Sequence, residues 1–288
     1  MTEKPIKPRL AISGRTPEKG SSLTPGHDPL SERLDFAGTR RDFLKSLLKL
    51  APVVGLSALG VGLGQIVAAN QEKQYDPTKH WYGMGIDVHR CIGCGRCVEA
   101  CKEENNVPRY PYFFRTWVER YVETQDGEVR VDSPNGSINA FPPSGVPEQR
   151  ILKTFYVPKI CNHCAEPPCV QVCPVGATFL SRDGVVLVDE SYCIGCRYCI
   201  QACPYGARYL HPKKRVADKC TFCYHRITKG LRPACVEVCP TSARIFGEAR
   251  RANTPLWEFV RTHDIQVLKP HLRTSPKVYY CDLDSEVR

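Results

Sequence analysis

The sequence predicts an α+β fold made of two similar units with loop-rich insertions. Short stretches with strand character alternate with short helical stretches, and one cysteine pattern recurs four times along the chain. The 288 residues suffice for two modest domains, and an apolar content of 42% is ordinary for a folded protein. A chain of this size can fold without covalent cross-links, so stability alone does not explain its 17 cysteines.

The N-terminal segments are unlike the rest of the chain. Residues 1–39 are rich in Pro, Gly, Ser and charge without a sustained period, which predicts disorder. Residues 40–70 begin with Arg40 and Arg41 and continue in an apolar run, which predicts a twin-arginine export signal. A retained membrane anchor is the alternative, because residues 50–69 form a stretch of twenty that could span a bilayer.

Either alternative places the main body of the protein in the periplasm. The twin-arginine translocase carries folded proteins, so a cofactor that is inserted in the reducing cytoplasm can be exported intact. A protein that needed disulfides would instead be exported unfolded into an oxidising compartment. We therefore expect these cysteines to bind a cofactor.

Local patterns predict the elements around the cysteines. A strand is expected at residues 82–89, a short helix at 98–104, and a hairpin at 178–193 around an Arg-Asp-Gly turn. The segments KTFYVPKIC and ARIFGEA add short strands. The insert at residues 121–150 is rich in Pro, Gly and Asn, which predicts loops with a small hairpin.

Sixteen of the 17 cysteines form four motifs within residues 80–250, the predicted body of two interleaved units. Each motif begins with two cysteines that are separated by two residues. Its third and fourth cysteines are separated by three residues. Proline follows the fourth cysteine in three motifs, and Lys102 follows it in the first. The motifs are Cys91, Cys94, Cys97, Cys101 (motif 1); Cys161, Cys164, Cys169, Cys173 (motif 2); Cys193, Cys196, Cys199, Cys203 (motif 3); and Cys220, Cys223, Cys235, Cys239 (motif 4). Residues 251–288 lack the pattern, and we predict that this C-terminal tail contacts a partner.

The spacing indicates cubane iron–sulfur clusters. A [4Fe-4S] cluster needs four thiolates; three of them, spaced C-x2-C-x2-C, can surround one cluster from a single loop, and the fourth reaches a second cluster. Two cross-linked motifs then make a two-cluster unit. Four motifs therefore predict two such units and four [4Fe-4S] clusters.

Spacing alone leaves the pairing of the motifs open. Motifs 2 and 3 are separated by a single hairpin, which favours their pairing and leaves motif 1 to pair with motif 4. The predicted ligand sets are Cys91, Cys94, Cys97, Cys239 (set A); Cys101, Cys220, Cys223, Cys235 (set B); Cys161, Cys164, Cys169, Cys203 (set C); and Cys173, Cys193, Cys196, Cys199 (set D).

Two other classes of protein were considered, a zinc-binding module and a nucleic-acid-binding protein. Paired C-x2-C motifs also bind zinc tetrahedrally, which would make the chain a zinc-stapled interaction module. The formal charge of +10 could indicate nucleic acid. Four clusters would add about −2 each, however, so we interpret many basic residues as counter-charge and predict no nucleic-acid partner.

Four long stretches carry a resemblance to a known family: YGMGIDVHRCIGCGRCVEACKEENNVP, CNHCAEPPCVQVCPVGATF, DGVVLVDESYCIGCRYCIQACPYGARYL and ADKCTFCYHRITKGLRPACVEVCPTSARIFG. The chain resembles the four-cluster, ferredoxin-like iron–sulfur subunits of the dimethyl sulfoxide and polysulfide reductase family. The equivalent subunit of the transmembrane complex linked to dissimilatory sulfite reductase belongs to the same group. The resemblance implies two pseudo-symmetric ferredoxin-like units and the same ligand pairing.

The resemblance also implies a function. Such a subunit passes single electrons between a polytopic quinone-reactive membrane subunit and a molybdopterin catalytic subunit or a multihaem cytochrome. The sequence has no recognisable Ser-His-Asp set, phosphate loop or carboxylate pair, so we expect no catalytic residues of its own. A freely diffusing periplasmic ferredoxin is the alternative within the class.

Overall fold

The computed structural model describes residues 75–110 and 113–287. The predicted segments 1–39 and 40–70, with Arg40 and Arg41, lie outside these residues. Within the part that is described, no helix is both long enough and apolar enough to cross a bilayer.

Short strands and helices make up the described chain, which agrees with the predicted α+β class. The strands are β1 Tyr82–Asp87, β2 Thr116–Thr124, β3 Val129–Asp132, β4 Ile151–Ile160, β5 Thr178–Leu180, β6 Val186–Val188, β7 Arg208–Leu210, β8 Ala217–Lys219, β9 Arg244–Glu248, β10 Ile265–Gln266 and β11 Val278–Cys281. The α-helices are α1 Arg96–Glu104, α2 Pro168–Gln171, α3 Tyr198–Gln201, α4 Tyr224–Ile227, α5 Ala234–Glu237 and α6 Pro255–Thr262. Single 3-10 turns lie at Pro77–Lys79, Pro134–Ser137, Glu148–Arg150 and Pro270–Leu272.

A four-stranded sheet in the order β10-β11-β1-β9 forms the centre of the core. Strand β1 pairs in parallel with β11 and antiparallel with β9. Every residue of β1 is buried, because helix α6 packs beside it. Gly85 allows this close approach: a Cβ there would lie 2.6 Å from the ring of Phe259 on α6.

The C-terminal segment differs from the predicted tail. Residues 251–288 supply α6, β10 and β11, and β11 lies between β10 and β1 in the central sheet. Tyr280 on β11 is fully buried. The segment is therefore part of the folded body, because its apolar strand completes a sheet that begins almost 200 residues earlier in the chain. Its predicted contact with a partner stays a prediction.

The remaining strands agree with the local patterns. Strands β2, β3 and β4 form a three-stranded sheet in the order β3-β2-β4, and the β2–β3 pair is the small hairpin expected at the start of the insert. Strands β5 and β6 form the hairpin around the Arg-Asp-Gly turn, with Phe179 opposite Leu187. The helix predicted at residues 98–104 begins two residues earlier, at Arg96. The hairpin of β7 and β8 was not predicted.

Candidate metal centre

Three of the four predicted cysteine sets each line one cavity. Each of these three cavities is lined by all four cysteines of its set, A, B or C. In each cavity, three cysteines come from one motif and the fourth comes from a distant motif. The structure thus brings together the residues of sets A, B and C as the sequence grouped them.

The fourth set, set D, is more exposed to solvent than the other three. Cys199 is buried in a small apolar cluster, Cys193 packs against that cluster, and Cys196 is exposed. Cys193 accepts a hydrogen bond from the Ala217 amide at 3.4 Å, and Cys173 accepts one from the Thr178 amide at 3.5 Å. The contacts place these residues on neighbouring elements, since α2 packs against α3, and the joint ligation by set D stays a prediction.

Short helices join the sets in pairs. Helix α1 carries Cys97 of set A and Cys101 of set B, and it packs against α5, which carries Cys235 of set B. Helix α2 carries Cys169 of set C, and it packs against α3, which carries Cys199 of set D. Sets A and B are therefore neighbours, and so are sets C and D.

The two pairs meet between motifs 2 and 4. His163 lies between Cys161 and Cys164 of set C, and Phe222 lies between Cys220 and Cys223 of set B. The ring of His163 stacks on the ring of Phe222, with centroids 3.7 Å apart. The four sets consequently lie in the order A, B, C, D.

The cysteines are better suited to bind a metal ion than to remain free thiols. None of the 17 cysteines forms a disulfide. Burial raises the pKa of Cys91 to about 11 and the pKa values of Cys164 and Cys235 to about 12. Thiols with such pKa values stay protonated at neutral pH unless a metal ion replaces the proton.

Cys173 differs from the other ligands in its pKa. Burial acts to raise it, but the backbone N–H groups of Thr178, Val175 and Ala177 outweigh burial and lower the pKa. Amides that point at a sulfur stabilise its thiolate form, as the sulfurs of an iron–sulfur site require. This donor set therefore fits a thiolate-bound cluster.

Two buried arginines hydrogen-bond to cysteine sulfurs. Arg244 donates from Nη2 to Cys97 Sγ at 3.4 Å, and Arg208 donates from Nη2 to Cys169 Sγ at 3.1 Å. Burial opposes their charge, but the nearby sulfurs, Cys97 foremost for Arg244 and Cys169 foremost for Arg208, raise the pKa of both guanidinium groups. Charged donors of this kind fit anionic sulfur ligands.

The polar group that lies beside the sulfurs of set B is the side-chain amide of Asn105. The Asn105 amide lies 3.5 Å from Cys223 Sγ and 3.7 Å from Cys101 Sγ. Arg115 is beside this set, and its Nη2 forms an ion pair with Asp218 at 2.8 Å. The positive charge beside set B is therefore matched by a carboxylate.

Basic counter-charge was expected from the composition, but Arg208, Arg244 and Arg115 were not singled out as its carriers. A signal for two of them was present, because C-P-x-x-A-R occurs at residues 203–208 and again at 239–244. Cys281 lies outside all four sets; it is buried on β11, and burial raises its pKa to about 12.

Comparison with known proteins gives the family. Two family models, both described as a 4Fe-4S dicluster domain, match residues 90–177 and 152–249. A tetrathionate reductase subunit of Salmonella typhimurium is 39% identical over 257 residues, which is 87% of this chain and 91% of that protein. The chain belongs to the iron–sulfur subunits of the dimethyl sulfoxide reductase family.

Other relatives of this iron–sulfur subunit serve different substrates by name. A dimethyl sulfoxide reductase iron–sulfur subunit assigned in Halobacterium salinarum is 41% identical over 216 residues, 69% of this chain and 78% of that protein. The arsenate respiratory reductase iron–sulfur subunit ArrB of a Shewanella species is 31% identical over 246 residues, 69% of this chain and 94% of that protein. Both names describe an iron–sulfur subunit of a reductase, and they differ in the substrate of that reductase.

Proposed function

We propose that this chain is a non-catalytic electron-transfer subunit that holds four [4Fe-4S] clusters, one in each of sets A to D. When bound, the clusters supply one-electron carriers, and the protein supplies their order and their insulation from water. The observation that supports this most strongly is the arrangement A, B, C, D, in which the inner sets are buried and the outer sets approach the surface.

Burial distinguishes the inner from the outer sets. All four cysteines of set B are buried, and so are Cys161, Cys164 and Cys169 of set C. In set D, Cys196 is exposed, and Ile194 beside it is 66% exposed. In set A, Cys91 and Cys94 are partly exposed, and Ile92 between them is 58% exposed. Electrons would enter and leave at the two outer sets.

The family supports a more detailed proposal for the role of the chain. We propose that one outer set faces a polytopic quinone-reactive membrane subunit and the other faces a molybdopterin catalytic subunit or a multihaem cytochrome. We further propose that the protein is periplasmic, is exported by the twin-arginine route and is held at the membrane through these partners. Tetrathionate, dimethyl sulfoxide and arsenate reductases among the relatives support a respiratory reductase complex.

Metal and sulfide analysis under anaerobic conditions tests the cofactor. We expect a brown protein with about sixteen iron atoms and sixteen sulfides per chain, from four cubanes. Dithionite should produce paramagnetic signals from interacting clusters. A colourless protein that contains zinc and no sulfide would establish the zinc-stapled module instead.

Glutamate substitutions at the outer sets test the route of the electrons. Ile92→Glu and Ile194→Glu should each slow quinol-driven turnover of the assembled complex, because a charged side chain disturbs an apolar contact surface beside the cluster. Val131→Glu is the matched control, since Val131 is 51% exposed on β3 of the insert. Equal turnover in all three variants would contradict electron transfer at these ends.

A further inference from the structure

The two C-P-x-x-A-R segments place arginines at equivalent positions. Arg208 is the fifth residue after Cys203 and begins β7; Arg244 is the fifth residue after Cys239 and begins β9. Both are buried, with 5% and 3% of their surface exposed. In each case the preceding cysteine belongs to the set whose third cysteine accepts the guanidinium hydrogen bond.

The contacts of the two arginines are also equivalent. Arg244 Nη2 donates to Thr116 Oγ1 at 2.9 Å as well as to Cys97, and Arg208 Nη1 donates to Thr178 Oγ1 at 3.3 Å while Nη2 donates to Cys169. Arg208 Nε and Arg244 Nη1 are buried and have no hydrogen-bond partner among the described residues. Neither guanidinium pairs with a carboxylate within residues 75–110 and 113–287.

A buried cation without an anionic partner is strongly destabilising. No carboxylate in the described structure pairs with these two guanidinium groups, and the anionic groups that act on them are cysteine sulfurs, Cys97 foremost for Arg244 and Cys169 foremost for Arg208. Each arginine therefore contributes a positive charge that no described carboxylate balances, and its hydrogen bond to sulfur is directed at one set.

Sets B and D have no arginine at the equivalent position. The fifth residue after Cys173 is Thr178, and the fifth after Cys101 is Asn106. Backbone amides contact the sulfurs of Cys173 and Cys193, and the charge of Arg115 beside set B is matched by Asp218.

Reduction adds one electron and one negative charge to a cluster. A nearby positive charge that water does not screen stabilises the reduced form more than the oxidised form, and hydrogen bonds to the sulfurs act in the same direction. Resting on the proposed function, we propose that Arg244 and Arg208 are tuning residues that raise the reduction potentials of the clusters in sets A and C.

Redox titration of the holoprotein followed by electron paramagnetic resonance tests this proposal. Arg244→Gln keeps a side-chain amide donor and removes the charge, so we expect the midpoint potential of set A to fall while sets C and D are unchanged. Arg208→Gln should lower the potential of set C in the same way. Arg90→Gln is the matched control, because Arg90 precedes Cys91 but its side chain is 59% exposed to screening water.

Two lysine variants keep the proposal testable if a glutamine variant fails to retain its cluster. Arg244→Lys and Arg208→Lys keep the charge, and we expect full iron content with potentials near the parent's.

The failure of the tuning proposal is separate from the failure of the proposed function. Four intact clusters whose potentials are the same in the parent and in Arg244→Gln and Arg208→Gln would overturn the tuning role alone. Lysine variants with full iron content and lowered potentials would overturn it too. A parent protein without iron and sulfide would overturn the proposed function itself.

Discussion

His163 lies face to face with Phe222, with the two ring centroids 3.7 Å apart and the ring planes inclined by 22°. Each ring stands between the two cysteines of a C-x2-C pair, one in motif 2 and one in motif 4. The His163 Nδ1 atom accepts a hydrogen bond from the Val186 amide at 3.1 Å, which places the proton of the neutral ring on Nε2. The stack joins the two halves of the cysteine array at its midpoint.

The crossed arrangement of the cysteines leads to a prediction about ligand loss. Cys203 belongs to motif 3 but lines the cavity of set C. Cys203→Ser should therefore disturb the cluster of set C and leave that of set D intact, as judged from the paramagnetic spectra of the reduced protein. Cys281→Ser should retain all four signals, because Cys281 lies outside every set. Loss of the set D signal alone in Cys203→Ser would refute the crossed pairing.

Removal of iron should occur in two stages. Sets A and D have fewer buried cysteines than sets B and C, in which only Cys203 is partly exposed, so a chelator reaches the outer clusters first. We expect iron release to an added chelator to show a fast phase and a slow phase of about equal size. The same protein unfolded in guanidinium chloride should release its iron in a single phase. A single phase from the folded protein would contradict the burial difference.

Gly95 provides a test of how the insert supports motif 1. Its φ is +70°, and a Cβ there would lie 1.9 Å from the carbonyl oxygen of Ser137 in the insert. Gly95→Ala should destabilise the fold through left-handed strain of about 1–2 kcal/mol, together with an overpacking cost of about 1–3 kcal/mol. Gly176→Ala is the control, because its φ is +67° but its Cβ would meet nothing within 4 Å. Thermal denaturation should show a clearly lower midpoint for Gly95→Ala than for Gly176→Ala.

Lys277 predicts a dependence of stability on pH. Its Nζ donates to the Gly184 carbonyl and lies 4.4 Å from the Trp81 ring centroid, and burial lowers its pKa from 10.5 to about 8. The sulfurs of Cys164 and Cys161 oppose this shift. Between these two pH values the unfolded chain binds more protons than the folded protein, so the free energy of unfolding rises with pH, by about 3 kcal/mol at most.

Substitution of Lys277 checks this sign. In Lys277→Met, the rise in the denaturant midpoint between pH 8 and pH 10.5 should be reduced. Lys229→Met, at an exposed position, should behave as the parent does. A Lys277→Met protein with the same pH dependence as the parent would assign the rise to other groups.

Local sequence predicted the elements that carry the cysteines, and distance along the chain explains what it missed. The strand at β1, the β5–β6 hairpin and the helix of motif 1 follow from short-range periodicity and turn chemistry. The position of β11 could not be read in this way, because its pairing with β1 joins residues nearly 200 positions apart. A short apolar strand does not specify its neighbour.

The candidate site likewise combines features that local sequence predicts with features that depend on long-range contacts. Motif spacing and the single hairpin between motifs 2 and 3 together grouped the cysteines that line the three cavities, but the stack of His163 on Phe222 depends on how two loops meet in space. Arg208 and Arg244 were visible as a repeated pattern, yet their contacts with Cys169 and Cys97 required the folded structure. Asp218 could not be linked to Arg115 from sequence, since 103 positions separate them.

The partnership of Cys91 with Cys239, and of β1 with β11, has a consequence for biosynthesis. A ribosome has made more than four-fifths of the chain before Cys239 is added, and the strand that seals the central sheet comes later still. Sets A and B therefore cannot be completed until nearly the whole polypeptide has been synthesised. Cofactor loading of this half is therefore a late event in the synthesis of the chain.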